Sequence, residues 1–144
     1  MLDEQYVDPS RVNFDAFKAL DRTTPILMLN KLKFYDQARY EAGHPLASTP
    51  MTGAEAYVKY GTESGPIFSR VGGSIVWRGH FELTVIGPSD ECWDQVFIAR
   101  YPNAGAFLEM VTDPTYQKAV KHRQAAVLSS RLQRFTELAL GDTF

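Results

Sequence analysis

The spacing of apolar and polar residues changes several times along the chain, and each change marks a predicted element. Residues 26–34 start as an apolar run and then alternate, which predicts a strand. Residues 35–51 are mostly polar and contain glycine and proline, which is typical of a long loop. Thr52 to Glu55 forms a capping box at the start of a helix with one apolar face, and Gly72-Gly73 is expected to end that helix.

Two further alternating stretches are predicted to pair as a β-hairpin. Residues 74–86 place Ile75 and Trp77 on one strand face, and residues 93–101 form the partner strand. Between them, residues 87–90 read Gly-Pro-Ser-Asp, a sequence that favours a chain reversal.

The remaining elements are marked by helix-start signals. Asp8-Pro9 predicts a short amino-terminal helix with Asp as the cap and Pro at the first helical position. Asn103 is expected to cap a second short helix, and Asp113-Pro114 to start a third by the same device as Asp8-Pro9. Residues 127–135 are predicted to form the last strand.

The order strand, helix, hairpin, helix, strand predicts an α+β fold of ferredoxin-like type. Such a βαββαβ chain forms an antiparallel four-stranded sheet with helices on one side. We expect residues 1–23 to be a helical extension, 24–136 the ferredoxin-like domain and 137–144 a tail. Apolar side chains occupy both faces of the predicted strands, so a second subunit is expected to cover the face without helices.

Composition and charge exclude several classes of function. The chain has 15 basic and 17 acidic residues with no basic cluster, so no nucleic-acid partner is expected. A single cysteine, Cys92, excludes an internal disulfide and favours a reducing compartment. The acidic amino terminus and the lack of a long apolar run predict neither a signal peptide nor a membrane span, so we expect a cytoplasmic protein.

Four stretches together resemble a known family. They are Leu29-Asn30, Val71-Gly72-Gly73, residues 99–102 (Ala-Arg-Tyr-Pro), and residues 113–117 (Asp-Pro-Thr-Tyr-Gln) with residues 122–126 (His-Arg-Gln-Ala-Ala). Over about residues 24–135 the chain resembles the domain-of-unknown-function family numbered 1330, within the dimeric α/β barrel superfamily. The resemblance implies a homodimer whose two sheets face each other, with a ligand-sized cleft between sheet and helices in each subunit. Members of the superfamily include cofactor-independent monooxygenases of polyketide quinones, haem-degrading enzymes, muconolactone isomerases and stress-response proteins.

Two polar residues on predicted apolar faces are the main catalytic candidates. Asn30 shares a strand face with Met28 and Leu32, so its amide needs a partner, either a neighbouring protein group or a substrate carbonyl. Arg123 falls near the centre of the apolar stripe of its helix, where it either pairs with an acidic residue or with carbonyls at a helix end, or holds a substrate carboxylate or stabilises an enolate.

His122, at the edge of that stripe, is the third catalytic candidate, as a general base or as a solvated surface residue. Four residues are candidates for substrate binding, with core packing as the alternative for the first three: Tyr60, Ser64, Trp77 and Arg100. The three histidines lie far apart in sequence, so no metal site is expected, and no motif implies an organic cofactor. These features favour a cofactor-independent enzyme, monooxygenase-like or isomerase-like, acting on a small carbonyl-containing or aromatic metabolite. The alternative is a non-catalytic ligand-binding or structural homodimer.

Overall fold

The computed structural model describes residues 5–144 and confirms the predicted α+β, ferredoxin-like fold. The elements are α1 (Arg11–Ala19), β1 (Ile26–Phe34), α2 (Gly53–Arg70), β2 (Ser74–Gly79), β3 (Gln95–Tyr101), α3 (Ala104–Thr112), α4 (Pro114–Ala126) and β4 (Val127–Phe135). The strands form one antiparallel sheet in the order β2-β3-β1-β4. This order places the first and third strands at the centre, as two interlocked βαβ units require.

The helices cover one face of this sheet, which we call the inner face. Met28 and Ala99 of the central strands pack there against Ile67 of α2 and Met110 of α3. Burial of such apolar side chains is the main contribution to the stability of a domain of this size. The opposite face, the outer face, presents the alternate residues of the same strands. None of the helices within residues 5–144 is long and apolar enough to cross a membrane.

Strand β2 is shorter than predicted. The predicted antiparallel pairing with the following strand is confirmed, but β2 ends at Gly79 and residues 80–94 form no strand, so the predicted extension through residue 86 is wrong. The register of β2 against β3 also shifts between Ile75 and Trp77. Because side chains alternate between the two faces of a strand, an extra residue moves every later side chain to the other face. Trp77 therefore pairs with Ile98 on the outer face and does not share a face with Ile75.

Helix α1 begins two residues later than predicted. Its N-cap is Ser10, whose hydroxyl accepts a hydrogen bond from the Asn13 N–H at 3.1 Å. The carboxylate of Asp8 instead accepts hydrogen bonds from the side-chain amide of Gln124, at 3.2 and 3.3 Å. Because the Asp8 carboxylate binds Gln124, more than a hundred residues away in sequence, it does not cap α1 as the local sequence predicts.

The loop 35–51 is closed at its base by backbone hydrogen bonds. The N–H of Gly53 donates to the Tyr35 carbonyl at 3.1 Å, and the N–H of Tyr35 donates to the Ala126 carbonyl at 2.9 Å. A Cβ atom on Gly53 would lie 2.2 Å from the Tyr35 carbonyl oxygen, so only glycine fits this crossing. The Ala38 N–H donates to Met51 at 2.8 Å, which ties the two ends of the loop together once more.

Candidate functional site

A cavity of about 1310 Å³, here called the main cavity, lies between the inner face of the sheet and the helices. Met28, Asn30, Phe97 and Ala99 form its floor, and α2, α3 and α4 form its walls. Helix α1 and the N-terminal segment, defined as residues 6–10, complete the lining. The N-terminal segment is held at the edge of the sheet because the Ser130 N–H donates to the Tyr6 carbonyl at 2.7 Å. The main cavity has the position that the sequence predicts for a cleft.

Tyrosine side chains form one wall of the main cavity. The hydroxyls of Tyr60 and Tyr116 are hydrogen-bonded at 2.8 Å, and the ring of Tyr57 lies 5.3 Å from that of Tyr60. Ser64, one turn further along α2, donates its hydroxyl to the Tyr60 carbonyl at 2.6 Å. Burial raises the pKa of all three tyrosines above the ordinary value of a phenol. These phenols are therefore protonated at neutral pH and can donate hydrogen bonds to a ligand.

Arg123 lies beside these tyrosines at the point where α4 meets the N-terminal segment. Its guanidinium donates to the Val7 carbonyl and, at 3.2 Å, to the Ser130 hydroxyl. Within residues 5–144 it makes no ion pair, so the sequence-based alternative of an internal acid partner is wrong. A backbone carbonyl is its partner, but this carbonyl belongs to the N-terminal segment and not to a helix end as expected. The positive charge of Arg123 partly opposes the rise in the pKa of the three tyrosines, because it favours their anionic form. The same charge would stabilise an anionic ligand at this position.

The charged residues that line the main cavity are mostly basic. Its lining contains five arginines and one acidic residue, Asp8. The five arginines are Arg11, Arg78, Arg123, Arg131 and Arg134. Of these, Arg78, Arg123 and Arg134 lie on the inner side, whereas the side chain of Arg11 is 95% exposed and Arg131 lies opposite Lys31 on the outer face. An excess of one sign of charge around an apolar cavity raises the local concentration of ligands of the opposite sign. The main cavity therefore suits an anion with an apolar body.

Asn30 lies on the floor of the main cavity, as predicted, although its side chain is only half-buried. Its amide nitrogen donates to the Met28 carbonyl of the same strand at 3.1 Å. This bond uses one of the four hydrogen-bonding positions of the side-chain amide. Asn30 thus has a protein partner and also retains capacity to bind a ligand.

The structure places His122 away from the main cavity. The side chain is 6% exposed and lies between α2 and the loop 35–51. Its Nε2 is 2.7 Å from a carboxylate oxygen of Glu63, and its Nδ1 is 2.6 Å from the Tyr40 hydroxyl. His122 is consequently not brought together with Asn30 and Arg123, and it is not the solvated residue that its helix-edge position indicated.

The remaining substrate-binding candidates divide between the two faces of the sheet. Tyr60 and Ser64 line the main cavity, whereas the alternation of β3 puts Arg100 on the outer face, the face that also carries Trp77. The sequence reasoning did not identify Arg78, which the register shift in β2 turns toward Phe97 on the inner face. It also did not identify Arg134, although alternation from Ser130 along β4 would have placed it on the inner face.

The described part of the chain, residues 5–144, contains no group of three histidine, cysteine or acidic side chains placed to bind a metal ion. The chemistry available in the main cavity is that of protonated phenols, guanidinium groups and an amide. All of these can donate hydrogen bonds to an oxyanion. An arrangement of this kind stabilises negative charge that develops on a bound carbonyl or phenol.

The fold and the cavity define a ferredoxin-like protein with an anion-suited cavity between sheet and helices. The chain belongs to the family described as Domain of unknown function (DUF1330), whose model matches residues 42–131. It is 50% identical to RPA0582, a protein of unknown function from Rhodopseudomonas palustris, with 95% of this chain and 100% of that chain covered and a TM-score of 0.86. A structure of methylated RPA0582 is similar with a TM-score of 0.88 at 51% identity, covering 96% of this chain and 98% of that chain.

A more distant likeness concerns the fold alone. SnoaB, a cofactor-independent oxygenase from Streptomyces nogalater, is 14% identical, covers 83% of this chain and 99% of its own, and superposes with a TM-score of 0.52. No protein of curated function matches the chain. The comparisons therefore give the family and the fold, and the activity has to be argued from the cavity.

Proposed function

We propose that the protein is a cofactor-independent enzyme that binds a small anionic or enolisable carbonyl compound with an aromatic body in the main cavity. The observation that carries this proposal is the charge of the lining, in which Arg78, Arg123 and Arg134 on the inner side outnumber one acidic residue, Asp8. Arg123 supports it most directly, because its guanidinium lies near three tyrosines of the cavity wall and makes no ion pair within residues 5–144.

In this proposal the substrate carbonyl lies between Arg123 and the hydrogen-bonded pair of Tyr60 and Tyr116. The Asp8 carboxylate, the one acidic side chain of the lining, takes a proton from the carbon next to that carbonyl, which gives an enolate. The enolate oxygen accepts hydrogen bonds from the guanidinium and from the one phenol of the pair whose O–H is free. Asn30, on the floor of the cavity, orients the substrate. In an isomerase reaction, Asp8 returns the proton to a different carbon of a conjugated enolate. In a monooxygenase reaction, the substrate carbon loses its two hydrogens and gains one atom of dioxygen as a new carbonyl, and the other oxygen atom leaves as water with those two hydrogens.

The experiment uses β-tetralone, an aromatic ketone with acidic C–H bonds, as the probe. Wild-type protein is expected to accelerate deuterium exchange next to the carbonyl, measured by NMR, and an oxygen electrode tests for uptake of dioxygen. Arg123→Gln should slow exchange by at least about tenfold, as expected for loss of a charged donor to an oxyanion. The control is Arg70→Gln, because Arg70 is bound to Glu109 and Asp113 on the surface. Equal exchange rates with and without wild-type protein would refute the enzymatic proposal.

A non-catalytic ligand-binding homodimer is the alternative, and one observation favours it. No fully buried side-chain nitrogen or oxygen within the described residues lacks a hydrogen-bond partner. A protein that binds salicylate but does not accelerate deuterium exchange of β-tetralone would support this alternative.

We also propose that the protein forms a homodimer through the outer face of the sheet. Leu29 and Ile98 are neighbours there on the two central strands, and the adjacent Trp77 is 51% exposed. A stable interface of this kind buries at least roughly 1,600 Å² in total. Ile98→Arg should give a monomer in sedimentation, whereas Val58→Arg, a matched change on the exposed side of α2, should leave the dimer intact. A wild-type protein that sediments as a monomer at micromolar concentration would falsify the proposal.

The cellular location is part of the same proposal. A lone cysteine, Cys92, is exposed, which suits a compartment that keeps thiols reduced. We therefore place the protein in the cytoplasm.

A further inference from the structure

A second group of reactive side chains lies outside the main cavity, where α4 meets α2 and the loop 35–51. Glu63, His122 and Tyr40 form a continuous chain of hydrogen bonds of 2.7 and 2.6 Å. The carboxylate lies on one side of the imidazole and the phenol on the other. This is the arrangement of an acid that orients a histidine and a histidine that acts as base toward a hydroxyl.

The Glu63 carboxylate determines which ring nitrogen of His122 can accept a proton from Tyr40. Glu63 accepts a hydrogen bond, so the neutral imidazole carries its proton on Nε2, and Nδ1 is left as the acceptor that faces the Tyr40 hydroxyl. Burial and the negative charge of Glu63 raise the pKa of Tyr40, so the phenol is protonated at neutral pH. It becomes a nucleophile only when a base takes its proton, and His122 is within hydrogen-bond distance to do so.

Tyr40 also lines a second cavity, of about 340 Å³, which adjoins the main cavity at Val7, Asp8 and Gln124, residues that line both. Arg39, His44 and Lys121 line the same cavity and can donate hydrogen bonds to an oxyanion. The Leu46 N–H donates to Nδ1 of His44 at 3.0 Å, so the proton of the neutral His44 ring is on Nε2. The second cavity is therefore lined by a phenol and several oxyanion donors, together with the carboxylates of Asp8 and Glu41, while the base His122 lies behind the phenol and outside the lining.

We infer that Tyr40, His122 and Glu63 form a second reactive site that accepts small acyl esters in the second cavity. The Tyr40 oxygen attacks the acyl carbon while its proton passes to Nδ1 of His122, and the imidazolium is stabilised by Glu63. The bond from the acyl carbon to the leaving alcohol then breaks, and His122 returns the proton to that alcohol. The products are an acyl ester of Tyr40 and a free alcohol, and water then hydrolyses the ester to regenerate the phenol and release the acid.

The test uses para-nitrophenyl acetate with the full-length protein. Release of nitrophenolate should show an initial burst, and mass spectrometry of the digested protein should locate one acetyl group on Tyr40. Tyr40→Phe should abolish both signals, and Tyr35→Phe, a matched change in the same loop, should leave both unchanged. Deuterium exchange of β-tetralone should be unchanged in Tyr40→Phe, because Tyr40 does not line the main cavity, and this separates the second site from the function proposed for the main cavity.

Glu63→Gln is the decisive variant, because the side chain of Glu63 is 48% exposed and its replacement by an amide of the same shape is expected to leave the fold intact. We expect it to slow acetylation of Tyr40 by about tenfold or more, the scale of general-base catalysis. His122→Gln should slow it at least as much, with circular dichroism as the check on folding. Acetylation of Tyr40 no faster than that of Tyr35, an unchanged rate in Glu63→Gln, or acetyl groups found on Lys121 in place of Tyr40 would each overturn the inference.

Discussion

Replacing Arg123 with alanine tests whether its charge serves a ligand or the fold. Arg123 is half-buried, so water replaces part of what its hydrogen bonds to Val7 and Ser130 provide, and each contributes about 1 kcal/mol net, less than the roughly 1.5 to 3 kcal/mol of a fully buried charged bond. Their loss should lower the free energy of unfolding by about 2 kcal/mol. For a chain of this length that corresponds to a melting temperature lower by roughly 4 to 8 °C. Had Arg123 balanced a buried acid, the cost would be about 3 to 5 kcal/mol, because the acid would be left without its partner.

The effect on ligand binding should be larger than the effect on stability. A charged hydrogen bond to a carboxylate is worth about 1.5 to 3 kcal/mol, so the dissociation constant for salicylate should rise about tenfold to a hundredfold. Thermal unfolding and calorimetric titration with salicylate would be measured on wild type, Arg123→Ala and Asn30→Ala. Arg70→Ala is the control, since it also removes an arginine with two side-chain contacts, but from the surface.

Two results would contradict this reasoning about Arg123. One is an unchanged dissociation constant for salicylate in Arg123→Ala. The other is a loss of more than about 4 kcal/mol of stability, which would mean that the charge balances an acid within the fold.

Further predictions concern stability and titration. Gly53→Ala should destabilise the protein by about 1 to 3 kcal/mol or more in chemical denaturation, because its Cβ would lie 2.2 Å from the Tyr35 backbone. Gly61→Ala, in the same helix, is the control. A Cβ there would have no atom within 4 Å, so this change should stabilise the protein by about 0.5 to 1 kcal/mol. The four buried tyrosines of the main cavity have raised pKa values, so above about pH 10 the unfolded state loses protons first and stability should fall as pH rises. Reversible ionisation of all seven tyrosines near pH 10 in folded protein, followed by ultraviolet absorbance, would contradict this. Asp21 should titrate at about 2 by NMR, because the Thr23 N–H and hydroxyl stabilise its carboxylate, and Thr23→Ala should move its pKa back toward the ordinary value. The stabilisation that the ionised Asp21 carboxylate provides is therefore fully present above about pH 4 and is lost as the pH falls toward 2.

Strands β1 and β4 could be predicted from the sequence because local pattern and tertiary packing agree there. Residues 26–34 and 127–135 are strands with the predicted bounds. The pattern of residues 80–86 also alternates, yet this segment has no partner strand, and alternation alone does not supply one. A strand needs inter-strand hydrogen bonds, and those depend on register, which a single extra residue at Val76 shifts.

The same distinction explains which parts of the main cavity were predictable. Asn30, Tyr60, Ser64 and Arg123 line it because each lies on an apolar face whose period is visible in the sequence. The contribution of the N-terminal segment was not predictable, since it depends on hydrogen bonds to β4 and to Arg123, more than a hundred residues away. His122 was misplaced because the loop 35–51, whose path has no periodic signal, covers it.

Because the loop 35–51 is closed at its base, its length can change without changing the rest of the fold. Backbone hydrogen bonds at Tyr35, Ala38 and Gly53 hold the two ends of the loop together whatever lies between them. Doubling the length of a flexible loop costs only about 0.6 kcal/mol in closure entropy. A peptide tag or a small folded domain inserted at residues 47–49 would therefore extend from the tip of the loop while β1 and α2 keep their positions. The loop offers a place to attach a probe or to graft a new binding surface without rebuilding the sheet.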